Sequence, residues 1–126
     1  MPQCHLLKLI FIALMCVCLS FRSYAAFLEG TEDVPLMPTL DVVEDETFSV
    51  DNEDGRLFFS KAMTTTAAAD VLRFYKSTLP QLGWDETESG VFNREGDVLS
   101  ISVTSVGKNQ TRLTEVTFEI VIKVKE

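Results

Sequence analysis

The chain has 126 residues, with 19 acids against 11 bases and a formal net charge of −8, a length that fits one domain with a modest core and excludes two. All three cysteines, Cys4, Cys16 and Cys18, and the single histidine, His5, fall within the first 25 residues. The remainder of the chain therefore lacks the side chains for Ser-His-Asp or Cys-His catalysis, thiol redox chemistry, and zinc or haem sites built on His or Cys.

The N-terminus has the layout of a secretory signal peptide, residues 1–25, with cleavage expected after Ala25. Lys8 supplies positive charge, residues 9–19 are an unbroken apolar run of 11, and Ser23-Tyr24-Ala25 supplies small residues at the cleavage positions. A membrane-spanning helix needs roughly 20 apolar residues, so the run is too short for an anchor. Cys16 follows Met15 and Cys18 follows Val17 rather than a small residue, so both read as apolar filler and not as lipid-attachment sites. The exported part keeps nine of the 11 bases and all 19 acids, a net charge near −10. Such a chain is a poor partner for nucleic acid and for anionic lipid. Without disulfides it depends on its core for stability.

Residues 26–45 read as an extended, partly mobile acidic arm, with apolar residues able to dock on the domain. Pro35 and Pro38 oppose helix and favour polyproline-like geometry around Val34-Pro35-Leu36-Met37-Pro38. Ten acids and no base lie in residues 29–54, whereas the nine remaining acids balance nine bases from Gly55 onward. The single domain is expected over 46–126. Residues 46–50 and 56–62 are apolar-rich runs flanking Asp51-Asn52-Glu53-Asp54-Gly55, whose Asp-Gly ending signals a hairpin turn. A helix is expected next, with Thr66 as its N-cap, good helix formers at Ala67-Ala68-Ala69, and Asp70 in the first turn. Leu72, Tyr75, Leu79 and Leu82, with Val71 and Phe74, recur at helical spacing, and Pro80 with Gly83 ends the segment.

From Trp84 the period changes to two. Leu99, Ile101 and Val103 alternate with Ser100, Ser102 and Thr104, and Val116, Phe118, Ile120, Ile122 and Val124 alternate with Thr117, Glu119, Val121 and Lys123, which predicts two long strands. Turn signals at Ser89-Gly90, Glu95-Gly96 and Val106-Gly107-Lys108-Asn109 leave 84–87 and 91–94 as short strands. The expected fold class is α+β in two layers, one amphipathic helix packed on a mostly antiparallel sheet in the order β-β-α-β-β-β-β.

No phosphate-binding glycine loop or dinucleotide turn occurs, and no cofactor, catalytic residue or metal ligand is assigned. The acidic segment 41–54 is an alternative small-ligand or calcium site, with oxygens from Asp51, Asn52, Glu53 and Asp54. Its spacing departs from an EF-hand: with Gly55 as the sixth loop residue, the first would be Val50, which has no side-chain oxygen. A carboxylate-only hydrolase would need two acids in one cleft, and no pair is marked. Ser60 and Lys61 are adjacent on a strand and point to opposite faces, so they form no dyad. Phe74, Tyr75 and Trp84 read as core anchors rather than a stacking site. Asn109-Gln110-Thr111 matches a glycosylation acceptor, meaningful only in a eukaryotic secretory route. The outward positions Ser102, Thr104, Thr117, Glu119, Val121 and Lys123, with Ser100, form a polar β-favouring surface and the candidate partner-binding face.

The run Phe74-Tyr75-Lys76-Ser77-Thr78-Leu79-Pro80-Gln81-Leu82-Gly83-Trp84, an F-Y-x-x-x-L-P-x-x-G-W pattern, resembles one found in uncharacterised small exported proteins and lipoproteins of Gram-negative bacteria. Asp33-Val34-Pro35-Leu36-Met37-Pro38 resembles them too. The resemblance brings no catalytic residues with it and implies a Gram-negative envelope setting. The expectation is a small periplasmic, or alternatively extracellular, non-enzymatic binding or accessory module. Its partner is another envelope protein, with no membrane contact after signal cleavage.

Overall fold

The structure, a computed structural model, describes residue 5 and residues 26–31, 33–107 and 112–124. The expected signal segment, His5 apart, and the Asn109-Gln110-Thr111 triplet lie outside these residues. The fold is α+β: among the described residues from 26 onward, six antiparallel strands form one sheet, with one short α-helix. In chain order they are β1 (Asp41–Asn52), β2 (Gly55–Thr64), α1 (Ala68–Thr78), β3 (Asp85–Glu88), β4 (Val91–Arg94), β5 (Asp97–Val106) and β6 (Leu113–Lys123). Across the sheet the order is β1-β2-β6-β5-β4-β3, so the C-terminal strand lies between the two hairpin systems.

β1 starts at Asp41, ahead of the apolar run at 46–50. Val43 pairs with Lys61 and Phe48 with Phe59, so Glu44-Asp45-Glu46-Thr47 bulge opposite the single residue Ser60. The bulge takes up the acids that interrupt the apolar pattern, and Thr47 anchors it: its hydroxyl donates to the Val43 carbonyl at 3.1 Å and lies 3.0 Å from the Ser60 hydroxyl. At the β1–β2 turn, Asn52 Oδ1 accepts from the N–H groups of Asp54 and Gly55, both at 2.9 Å. Gly55 has φ +148 and faces β6 so closely that a Cβ would run into the Ile122 carbonyl oxygen, which explains the glycine there.

Alternate residues of the central strands are buried: Phe58, Ser60, Ala62 and Thr64 on β2, Val116, Phe118 and Ile120 on β6, Leu99 and Ile101 on β5. Val71, Tyr75 and Leu79, spaced four apart, belong to the same core. The Tyr75 ring meets Phe118 edge-on with centroids 5.5 Å apart. Leu72 and Phe74 are half-buried and Leu82 is exposed. The helix gives way at Leu79–Leu82 to a 3-10 turn containing Pro80, and Gly83 closes it in the left-handed region, φ +88. Thr66 is not the N-cap. Ala67 takes that position without a side-chain bond, because Thr66 is engaged elsewhere: its carbonyl accepts the Thr114 hydroxyl at 2.7 Å and its hydroxyl lies 2.9 Å from that of Thr39.

Residues 26–40 join this core. Leu28, Val34 and Leu40 are buried in it with Phe58, Tyr75 and Trp84. The segment closes on itself through Leu28 N–H to Val34 O at 2.9 Å and Leu36 N–H to Ala26 O at 2.8 Å. Besides the Thr39–Thr66 contact, hydrogen bonds from the core fasten it: the Tyr75 hydroxyl donates to Pro35 O at 3.0 Å, the Met37 N–H donates to that hydroxyl at 3.3 Å, and the Trp84 indole N–H donates to Asp33 O at 3.4 Å. Among the described residues no helix is long and apolar enough to cross a membrane.

Candidate functional site

The non-buried face of the sheet carries the alternate residues of the same strands. Ser102 pairs with Thr117, Thr104 with Glu115, Ser100 with Glu119 and Val98 with Val121; Val121 pairs in turn with Leu57, and Lys123 with Gly55. All six residues expected at the partner-binding face, Ser102, Thr104, Thr117, Glu119, Val121 and Lys123, therefore lie together on this face. Thr117 is half-buried and the other five are exposed. The arm does not cover them, since its buried residues belong to the core on the opposite side.

One half of this face is apolar, which the strand alternation in β5 and β6 does not reveal. Val50 pairs with Leu57, Leu57 with Val121 and Val121 with Val98, giving an unbroken apolar row across β1, β2, β6 and β5. Phe48 pairs with Phe59 in the next row, their rings stacked at 5.1 Å. Phe48 is 50% exposed, Val50 49% and Val121 36%. Isolated surface hydrophobics are ordinary, but contiguous ones rimmed by polar residues mark interaction sites. The signal that could have found them is the consecutive Leu57-Phe58-Phe59, which puts bulk on both faces of β2.

The electrostatics of the face divide it again. Lys61 is held by Glu46 at 2.7 Å, with Glu115 at 3.8 Å, and the hydrogen bond its ammonium donates to Glu46, together with both carboxylate charges, keeps it charged above the usual lysine range. Glu119 and Lys123, two residues to either side of Val121, have no ion-pair partner among the described residues. Beside the Val121 end, a groove of about 390 Å³ is bordered by Gly55, Leu57, Val121, Lys123 and Val124.

The segment 41–54 has other duties. Asp51 accepts from Arg56 at 2.6 Å, and that bond lowers its carboxyl below the ordinary range, while Asn52 supports the turn. Among the described residues no group of three or more His, Cys, Asp or Glu side chains is placed to hold a metal. Asp33, beside a smaller cavity of about 180 Å³ under the arm, is bound by Arg94 at 2.6 Å; the Arg94 guanidinium also sits 4.6 Å over the Trp84 ring. That group is a latch for the arm. Comparison of the chain with protein-family models, curated proteins and solved structures finds no match.

Proposed function

We propose that the exported chain is a small, non-enzymatic binding module of the Gram-negative periplasm that docks on a protein partner through the open face of its sheet. In this reading the amphipathic helix and the arm form the second layer on one face, leaving the other free. The observation that carries it is the uncovered row Val50, Leu57, Val121 and Val98, with stacked Phe48 and Phe59 beside it. A surface of that kind in water gains free energy when another chain covers it, at roughly 25 cal/mol per Å² of apolar area. The absence of His and Cys after residue 25 removes the commonest catalytic groups and supports a binding role.

The test is site-specific photo-crosslinking in living envelope. A photoreactive residue replacing Val121 is expected to give a discrete protein adduct, and one replacing Arg73, exposed on α1, is expected to give none. Equal labelling from both positions, or none from either, would sink the reading.

A further inference from the structure

We infer that the partner at the apolar half of this face is a second copy of the same chain, docked face to face about a two-fold axis running along the row Val50–Leu57–Val121–Val98. The inference rests on the docking role proposed above and names its occupant. A two-fold interface requires a surface complementary to itself, and the register supplies one. Turning a copy over about that row lays each of its apolar residues on its own equivalent and exchanges the rows on either side. One of those rows holds Phe48, Phe59 and Glu119, and the other holds Asn52, Gly55 and Lys123. Both lie two residues from the axis, a step of roughly 7 Å along a strand.

Two complementarities follow from that exchange. Glu119 of each copy meets Lys123 of the other, so the two charged side chains flanking Val121, neither with an ion-pair partner among the described residues, satisfy each other twice over. Phe59 of each copy comes over Gly55 of the other, where there is no side chain and where the groove of about 390 Å³ opens. The bulky row thus fills the hollow row. The strands of the two sheets run nearly aligned, the ordinary geometry for packed sheets about 10 Å apart. An axis perpendicular to this one, along the strands, would lay Glu119 on the Phe59 aromatic ring of the other copy and leave both charges unpaired. The net charge near −10 on each copy opposes association at long range, so the charge pairs must act at contact distance, inside the screening length of about 8 Å at physiological salt.

The experiment is sedimentation velocity on protein purified after export, with four variants whose folding is checked by circular dichroism and Trp84 fluorescence. Wild type is expected to be a dimer in the micromolar range. Glu119→Lys and Lys123→Glu are each expected to weaken the dimer at least tenfold by placing like charges together. The double variant Glu119→Lys/Lys123→Glu, which reverses each pair, is expected to restore it, and Val121→Asp to abolish it. A monomeric wild type, a dimer indifferent to Val121→Asp, or a double variant no better than the singles overturns the inference. The crosslink from position 121 separates the two readings: an adduct of twice the chain mass supports the second copy, an adduct with a different envelope protein retains the docking role and rejects self-association, and no adduct rejects both.

Discussion

Tyr75 ties three parts of the molecule with one side chain. Its ring is buried against Phe118, and its hydroxyl both donates to Pro35 O and accepts from the Met37 N–H. Replacing it with phenylalanine keeps the ring and removes the partner of the buried Pro35 carbonyl and of the half-buried Met37 N–H. Tyr75→Phe is expected to cost about 1–3 kcal/mol in denaturant unfolding, and a cost near zero would mean water reaches these groups. Burial also pushes the phenol well above its ordinary range, against the lowering effect of the Met37 bond. A raised pKa means that the folded state keeps its proton where the unfolded chain, with a tyrosine pKa of about 10, loses it. The stability is therefore complete below about pH 10 and falls above it by about 1.4 kcal/mol per pH unit. Tyr75 is the only tyrosine after residue 25, so in protein lacking residues 1–25 tyrosinate absorbance should stay silent above pH 10 until the protein unfolds. A reversible titration at the free-tyrosine value, with the fold intact, would contradict this.

At the scale of elements, the arm is the part that most changes the picture of the domain. Leu28 is 1% exposed and Val34 0%, and Gly30, at φ +87, comes so close to Phe58 that a Cβ would stand 2.8 Å from its ring. The arm is thus packed like core. Leu28→Ala is expected to destabilise the whole fold by about 2–5 kcal/mol, in one cooperative transition with the sheet. A loss under about 1 kcal/mol, or a separate early transition, would show an arm that detaches independently. The prolines that oppose helix in this segment, and the option that its apolar residues dock on the domain, were legible in the sequence; the neighbours were not, because Leu28, Val34 and Leu40 find them through contacts far along the chain. The helix and both long strands were legible because periods of 3.6 and 2 leave a local trace. The β1 bulge was not, since four residues opposite one break the alternation that would have extended the strand to Asp41. Thr66 was misplaced for a related reason: its cap preference is local, while the partners it takes, Thr39 and Thr114, belong to other elements.

For the whole molecule the two faces of the sheet differ in burial: one carries the core, and the other leaves Phe48, Val50 and Val121 exposed, the face proposed above for docking. The placement of the polar residues of the open face was legible in β5 and β6, where small polar residues alternate with the core. The apolar half was hidden because its residues come from β1, β2 and β6 and adjoin only through register. This division makes a quantitative prediction. Phe118 is fully buried at the centre of the core, and Phe118→Ala should cost about 3–5 kcal/mol. Phe48→Ser and Val121→Ser remove apolar side chains of the open face that are 50% and 36% exposed, and each should change unfolding free energy by less than about 1 kcal/mol when measured on dilute, unassociated protein. The same two substitutions should remove the crosslink formed at the open face, read from a photoreactive residue at position 57 so that neither substitution displaces the probe. If Phe48→Ser instead unfolded the protein as Phe118→Ala does, the stacked pair of Phe48 and Phe59 would be a second core, and the exposed row would belong to folding rather than to recognition.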